Sequence, residues 1–155
     1  MKVYQLSVSI IGIPKLYRLI DISENASFED LHDSIFEAFG RYDPHLYSFF
    51  LTRNDTKSMR EIYNAPEITA PQNTDDPFGF GKKKRSAAET TIGDAELVEK
   101  DVLHYLFDFG DDWWHRIRVQ KIGQLRTDKK HIKLVKSVGH SPDQYPDYDD
   151  EDEYE

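Results

Sequence analysis

The stretch that decides the fold is VLHYLFDFGDDWWHRIRV, residues 102–119. It is typical of a strand, a tight polar turn and a second strand, with Gly110 in the run DFGDD supplying the turn. In the first arm, the side chains that share one face by alternation are Leu103, Tyr105, Phe107 and Phe109. In the second arm, they are Trp113, His115, Ile117 and Val119, with Trp114, Arg116 and Arg118 opposite. The stretch therefore predicts a central antiparallel hairpin.

Acids, a histidine and a tryptophan gather at this bend. Asp108, Asp111, Trp113 and His115 lie within one short run, and His45 opens an earlier predicted strand. A few polar groups converging beside an aromatic wall are typical of a ligand pocket. We therefore expect a non-enzymatic binding domain whose pocket is formed by these five residues, with Trp113 as its wall and with no cofactor.

A second interpretation of the same side chains is a divalent metal site made by His45, Asp108, Asp111 and His115. Imidazole and carboxylate groups bind such ions, and a water at an open coordination position would be activated for hydrolysis. Against this, the sequence has no HxH, HExxH or HxxxH spacing. The two acids could instead accept hydrogen bonds from N–H groups of the turn. A metal-dependent hydrolase is therefore the alternative to a binding domain.

A third interpretation comes from the charge of residues 115–136, which include eight Lys or Arg residues and one acid, Asp128. Aromatic side chains stack on bases, while Lys and Arg neutralise phosphates. The residues expected to form such a nucleic-acid face are Trp114, Arg116, Arg118, Lys129, Lys130 and Lys133. The competing interpretation is an ordinary solvated sheet face. The sequence therefore leaves nucleic acid as one hypothesis for the partner that this chain binds.

The end of the chain has the opposite charge. Residues 141–155 carry eight acids and no Lys or Arg, and without them 21 acids face 20 bases. This segment, rich in Pro, Tyr and acids, lacks the apolar content needed to order itself. We expect one domain over residues 1–140, followed by an acidic, disordered tail that competes with nucleic acid for the basic strands.

The remaining strands are predicted from alternation of polar and apolar residues. They form a hairpin over residues 3–22, a strand over 45–51 and a last strand over 132–138. Consecutive strands joined by short turns favour antiparallel pairing. The fold class expected is therefore α+β, with an antiparallel sheet of about five or six strands.

One main helix is expected to cover a face of this sheet. Ser27-Phe28-Glu29-Asp30 matches a capping box, and apolar residues at helical spacing follow it, which predicts a helix over residues 28–39. Residues 54–90 contain several Pro and Gly residues and a basic run. We expect them to form a long loop with a short strand near residues 59–63.

Several classes of protein are disfavoured by what the sequence lacks. The absence of cysteine excludes disulfides, thiolate metal sites and a Cys nucleophile. No apolar run approaches the roughly 18 residues of a membrane span, and the first residues alternate instead of forming a signal-peptide core. The DFG triplet at Asp108 lacks the other kinase motifs, and GxSxG and P-loop patterns are missing. We therefore expect a cytoplasmic protein that does not associate with the membrane.

Four groups of residues resemble a known family. They are Tyr17-Arg18, Leu31-His32, His45-Leu46 with Phe49, and the run from Tyr105 to His115. This order resembles the plasmid pRiA4b open-reading-frame-three-like family, whose members often carry a Tyr-x-Tyr-Asp-Phe-Gly-Asp-x-Trp-x-His core. The positions that match this core are Asp108, Phe109, Gly110, Asp111, Trp113 and His115.

The resemblance covers about residues 3–139. It implies a single α+β domain of the kind found with plasmids and insertion elements, some members of which carry a resolvase-like label. The chain shows no serine-recombinase pattern, in which a Ser nucleophile lies within an Arg cluster near the N-terminus. The resemblance therefore implies a mobile-element origin and a fold, and it implies no settled activity.

Overall fold

The computed structural model describes residues 1–76, 78–79 and 81–145. The strands in this part of the chain are β1 Lys2–Ile10, β2 Tyr17–Ser23, β3 Tyr47–Phe50, β4 Glu67–Thr69, β5 Lys84–Ser86, β6 Val102–Phe107, β7 Trp113–Gln124 and β8 Ile132–Val138. The helices are α1 Phe28–Ala38 and α2 Met59–Asn64, with 3-10 turns at Pro71–Asn73 and Gly93–Ala95. No helix in the described ranges is long and apolar enough to cross a bilayer.

The strands form one sheet in the order β5-β4-β3-β6-β7-β1-β2-β8. Neighbouring strands are antiparallel except β4 and β5, which are parallel. The α+β class is confirmed, but the predicted five or six strands are too few. Strands β4 and β5 have only three residues each, which is too short for alternation to reveal them.

The segment 54–90 is more structured than the predicted loop. Helix α2 occupies the place of the predicted short strand, because the Ser58 hydroxyl accepts a hydrogen bond from an N–H of its first turn. Ile62 of α2 is buried with Phe50 and Leu106 on one face of the sheet. Helix α2 therefore covers part of this face of the sheet, whereas the prediction placed a helix on only one face, the one that α1 covers.

Helix α1 begins at the predicted capping box. The Ser27 hydroxyl accepts a hydrogen bond from the Asp30 N–H, and the Asp30 carboxylate accepts one from the Ser27 N–H. Phe28, Leu31 and Ile35 of this helix have no exposed surface. Their spacing places them on one stripe, so α1 covers the main core on the opposite face of the sheet from α2.

The central hairpin supplies the middle of that core. Leu103, Tyr105 and Phe107 are fully buried, as their alternation predicted. Strand β6 ends at Phe107 because the backbone of Asp108 is left-handed, with φ 66°. The alternation therefore stops there, and the prediction that Phe109 shares this face is wrong, since Phe109 is 38% exposed.

A buried histidine joins α1 to the hairpin. His32 Nδ1 lies 2.6 Å from the Tyr105 hydroxyl, and its ring stacks on Tyr47 with 3.6 Å between centroids. Burial, and then the charge of Arg41, lowers the pKa of His32 from 6.5 to about 3. His32 is therefore neutral at neutral pH, and its Nδ1 accepts a hydrogen bond from the Tyr105 hydroxyl.

This histidine makes stability depend on pH. Below pH 6.5 the unfolded chain binds a proton at His32 that the folded chain does not, so the free energy of unfolding falls as pH falls toward the folded pKa. Between pH 6.5 and 5, we expect His32→Phe to reduce this slope by about 1 kcal/mol per pH unit on average in urea unfolding. His140→Gln, which removes an exposed histidine, is the control. A slope in His32→Phe equal to that of the wild type would contradict the assignment.

Candidate functional site

His45 and Asp108, two of the residues predicted to form a pocket, lie together at the hairpin turn. His45 Nε2 is 3.4 Å from Asp108 Oδ2 and 3.4 Å from Asp43 Oδ2. His45 precedes β3, and Asp108 follows β6, which pairs with β3. The Asp108 N–H donates to the Leu46 carbonyl at 2.9 Å, so strand pairing continues up to the site.

Asp108 also builds the turn. Its Oδ1 accepts hydrogen bonds from the N–H groups of Gly110 and Asp111, at 3.1 and 3.3 Å, while its Oδ2 faces His45. The left-handed residues of the turn are Asp108 and Asp112, with φ 66° and 54°. The prediction that Gly110 supplies the turn conformation is therefore wrong, because two aspartates adopt the left-handed backbone conformation instead.

The chain after β8 returns to this site. The Gln144 side chain, 3% exposed, accepts from the N–H groups of Tyr42 and Asp43 and donates to the Asp43 carbonyl. Next to it, the Tyr145 hydroxyl donates to Asp43 Oδ2 at 2.7 Å and lies 2.6 Å from His45 Nε2. Residues 141–145, expected to belong to the tail, thus contact the domain. The rest of the predicted tail, 146–155, lies outside the described residues.

We call the group Asp43, His45, Asp108, Asp111 and Tyr145 the hairpin site. The hydrogen bond to Asp43 raises the pKa of Tyr145 to about 12, helped by the negative charges of Asp108 and Asp111. The phenol therefore stays protonated, and its oxygen can accept a hydrogen bond from the Nε2–H of His45. The site combines three carboxylates with one imidazole, so its potential is negative while the imidazole is neutral.

Trp113 and His115 lie apart from the hairpin site. His115 is fully buried, and its Nε2 is 2.7 Å from Arg41 Nη2 while its Nδ1 is 3.3 Å from the Tyr105 carbonyl. Burial, and then Arg41, lowers the pKa of His115 well below its usual range, so Nδ1–H donates to the carbonyl and Nε2 accepts from Arg41. The Phe107 ring contacts the Arg41 guanidinium and also the His45 ring of the hairpin site. Its centroid is 4.9 Å from Arg41 Cζ and 5.9 Å from the centroid of the His45 ring.

The four residues of the metal interpretation are therefore not assembled as one ligand set. His45 and Asp108 meet, whereas His115 faces a guanidinium inside the core. Among the residues that the structure describes, no group of three or more His, Cys, Asp or Glu side chains is arranged to hold a metal ion.

The residues of the nucleic-acid interpretation have varied surroundings. Trp114 packs with its ring centroid 5.8 Å from those of Phe50 and Tyr63, so it belongs to the small core beneath α2. Two of the bases make ion pairs: Arg116 with Asp55 at 2.9 Å, and Lys130 with Asp30 at 3.0 Å. The exposed bases of this set are Arg118, Lys129, Lys130 and Lys133.

Sequence reasoning missed Arg41, Asp43, Gln144 and Tyr145. Arg41 and Asp43 lie in the short connection between α1 and β3, and Gln144 and Tyr145 lie about 100 residues further along the chain. No periodicity links such positions. The one local signal was an aromatic and an amide residue within an otherwise acidic segment, which is unusual for a purely solvating tail.

Comparisons with known proteins agree with the resemblance seen in the sequence. A search of curated proteins found no match. A similar solved structure is the protein of unknown function MM3350 from Methanosarcina mazei Go1, with 25% sequence identity and a TM-score of 0.69, covering 92% of this chain and 72% of that chain. The model of a family described as plasmid pRiA4b ORF-3-like protein matches residues 2–154. Because this match covers nearly the whole sequence, the chain belongs to the plasmid pRiA4b ORF-3-like family.

Proposed function

We propose that this chain is a non-enzymatic binding domain and that the hairpin site binds a cationic group of its ligand, such as an amine or a guanidinium. The observation that carries the proposal is the convergence of Asp43, His45, Asp108 and Tyr145, from three separate parts of the chain, on one partly exposed cluster. Carboxylates form their strongest hydrogen bonds with charged donors, so an organic cation fits this cluster.

The acceptors of the site are held in place before a ligand arrives. Asp108 is fixed by the turn N–H groups that it accepts from, and Asp43 is fixed by Gln144 and Tyr145. Preorganised groups lose little conformational entropy on binding, which favours affinity. The side chains of Asp43 and His45 are 48% and 33% exposed, so a ligand can reach them from solvent.

A titration with the diamine cadaverine tests this proposal. We expect saturable changes in the NMR signals of the His45 ring. Asp43→Asn removes a charged acceptor, and we expect it to weaken binding about tenfold. The Asp111 carboxylate accepts no hydrogen bond among the described residues, so Asp111→Asn removes only its charge. We expect this variant to weaken binding less, by about threefold.

Asp112→Asn is the matched control for this titration. Asp112 carries the same charge one residue away, but it lines a different cleft, with Phe50 and Lys84, and should leave affinity unchanged. Circular dichroism would show that each variant is folded. Equal weakening by Asp111→Asn and Asp112→Asn would mean that cadaverine responds only to overall charge, and unchanged His45 signals would reject the site.

A second candidate function, single-stranded nucleic-acid binding, is favoured by the register of β1 and β7. Arg116, Arg118 and Lys121 lie directly opposite uncharged residues of β1. Residues opposite each other in a ladder share a face. We call this surface the open sheet face, and its members on the two strands are Gln5, Ser7, Ser9, Arg116, Arg118 and Lys121. An extended polyanion could follow these bases across the strands.

Salt dependence distinguishes this candidate from the first. We expect the affinity for a labelled single-stranded oligonucleotide, measured by anisotropy, to fall steeply with salt. If Arg118 contacts a phosphate, Arg118→Ala should reduce the log–log salt slope by about 0.7. Arg60→Ala, at an exposed arginine of α2, is the control.

Removing residues 146–155, which carry seven acids, should tighten binding. Absence of binding at low salt by that shortened chain would falsify this candidate.

A further inference from the structure

Arg41 is a buried cation inside a cage of rings. The residue is 8% exposed, and its Cζ lies 4.9 to 5.6 Å from the ring centroids of Phe39, Phe107 and Trp113. Cation–π contacts of this kind stabilise a guanidinium partly, by about 0.5–2 kcal/mol each. Its Nη2 has a partner, the neutral imidazole of His115, at 2.7 Å.

No carboxylate in the described part of the chain balances this charge. Among the described residues, Arg41 forms no ion pair with an Asp or a Glu. Burial lowers the pKa of Arg41 to about 10, which leaves the guanidinium charged at neutral pH. Buried charges in proteins are usually paired, because an isolated ion in a medium of low dielectric constant is strongly unfavourable. The surroundings of Arg41 therefore lack a counterion.

Two hydrogen-bond donors of this cage, one on Arg41 and one on Trp113, also lack acceptors among the described residues. Arg41 Nη1 and Trp113 Nε1 are both buried, and neither has a hydrogen-bond partner among the described residues. Both groups can only donate. Most buried polar groups are hydrogen-bonded, so two neighbouring donors without a partner indicate that an acceptor is missing.

We propose that Arg41 Nη1 and Trp113 Nε1 form a binding site for a small oxyanion, a carboxylate or a phosphate group. One oxygen of the anion would accept from the guanidinium and another from the indole N–H, and the anion would supply the missing negative charge. This site is distinct from the hairpin site, because no hydrogen bond or ion pair of the described residues joins Arg41 or Trp113 to Asp43, His45 or Asp108, and the two sites have opposite charges. The inference does not depend on the function proposed above.

Solvent comes within one side chain of this site. Phe39, whose ring centroid is 5.1 Å from Arg41 Cζ, lines a cleft of about 600 Å³ together with Gly40 and Tyr42. The exposed acids Glu37 and Asp143 also line this cleft, together with the buried base Arg18. The closed surroundings of Arg41 favour a small anion over a large one.

The indole N–H signals of the two tryptophans provide the test. Full-length protein is titrated with inorganic phosphate and with acetate, using chloride at matched ionic strength as the reference. We expect the Trp113 signal to move saturably while the Trp114 signal, from the opposite face of the sheet, stays in place. A larger response to phosphate or to acetate then identifies which oxyanion fits.

Substitutions complete the test. Trp113→Phe keeps a ring but removes the donor, and we expect anion affinity, followed by the rise in melting temperature, to fall at least tenfold. Trp114→Phe is the matched control and keeps the affinity of the wild type. Arg41→Met should abolish the response to anions.

Two outcomes would overturn the proposal. One is a Trp113 signal that does not move with either anion, as expected if a single buried water satisfies the two donors. The other is an affinity of Trp113→Phe equal to that of the wild type. These two outcomes are measured on the wild type and on Trp113→Phe, so the test does not require Arg41→Met to fold.

Discussion

The pairing of Phe107 with Trp113 across the central hairpin fixes which side chains reach each site. Because the side-chain period of a strand is two, a shift of one residue would place Trp114 in the main core and expose His115. The buried face of β7 prevents this shift, since His115, Ile117 and Val119 would all leave the core together. The paired part of the hairpin ends with Phe107 and Trp113, and the left-handed Asp108 that follows Phe107 lies beside His45.

Groups of opposite charge lie near one aromatic ring, that of Phe107. Arg41 contacts this ring and Asp108 follows it in the chain, and a direct ion pair between Asp108 and Arg41 would neutralise both. The Phe107 ring contacts both the His45 ring and the Arg41 guanidinium, and no ion pair joins Arg41 to a carboxylate of the described residues. The charged groups at this end of the sheet thus keep hydrogen-bonding capacity that a mutual ion pair would have used.

Local patterns predicted the parts of the fold whose causes are local. The capping box at Ser27 and the alternation of β1 each depend on neighbouring residues, and both elements form as expected. Strands β4 and β5 were missed because three residues show no period and their pairing is decided by distant partners. Of the hairpin site, the sequence predicted His45, Asp108 and Asp111 but neither Asp43 nor Tyr145. Its other members, and Arg41, reach their places through contacts across 74 to 102 residues, which no spacing rule describes.

The hairpin site depends on how stably the segment after β8 is attached, as well as on the stability of the whole fold. The segment holding Gln144 and Tyr145 is attached by hydrogen bonds from Ser141 to the Phe39 carbonyl and from Gln144 to the turn at Asp43. None of these residues belongs to the main hydrophobic cluster except Phe39, so the segment could detach without exposing that cluster. Such local openings require less free energy than global unfolding. Detachment would free Asp43 from Tyr145 while Asp108 stays fixed by its turn, because the two carboxylates are held by independent sets of hydrogen bonds.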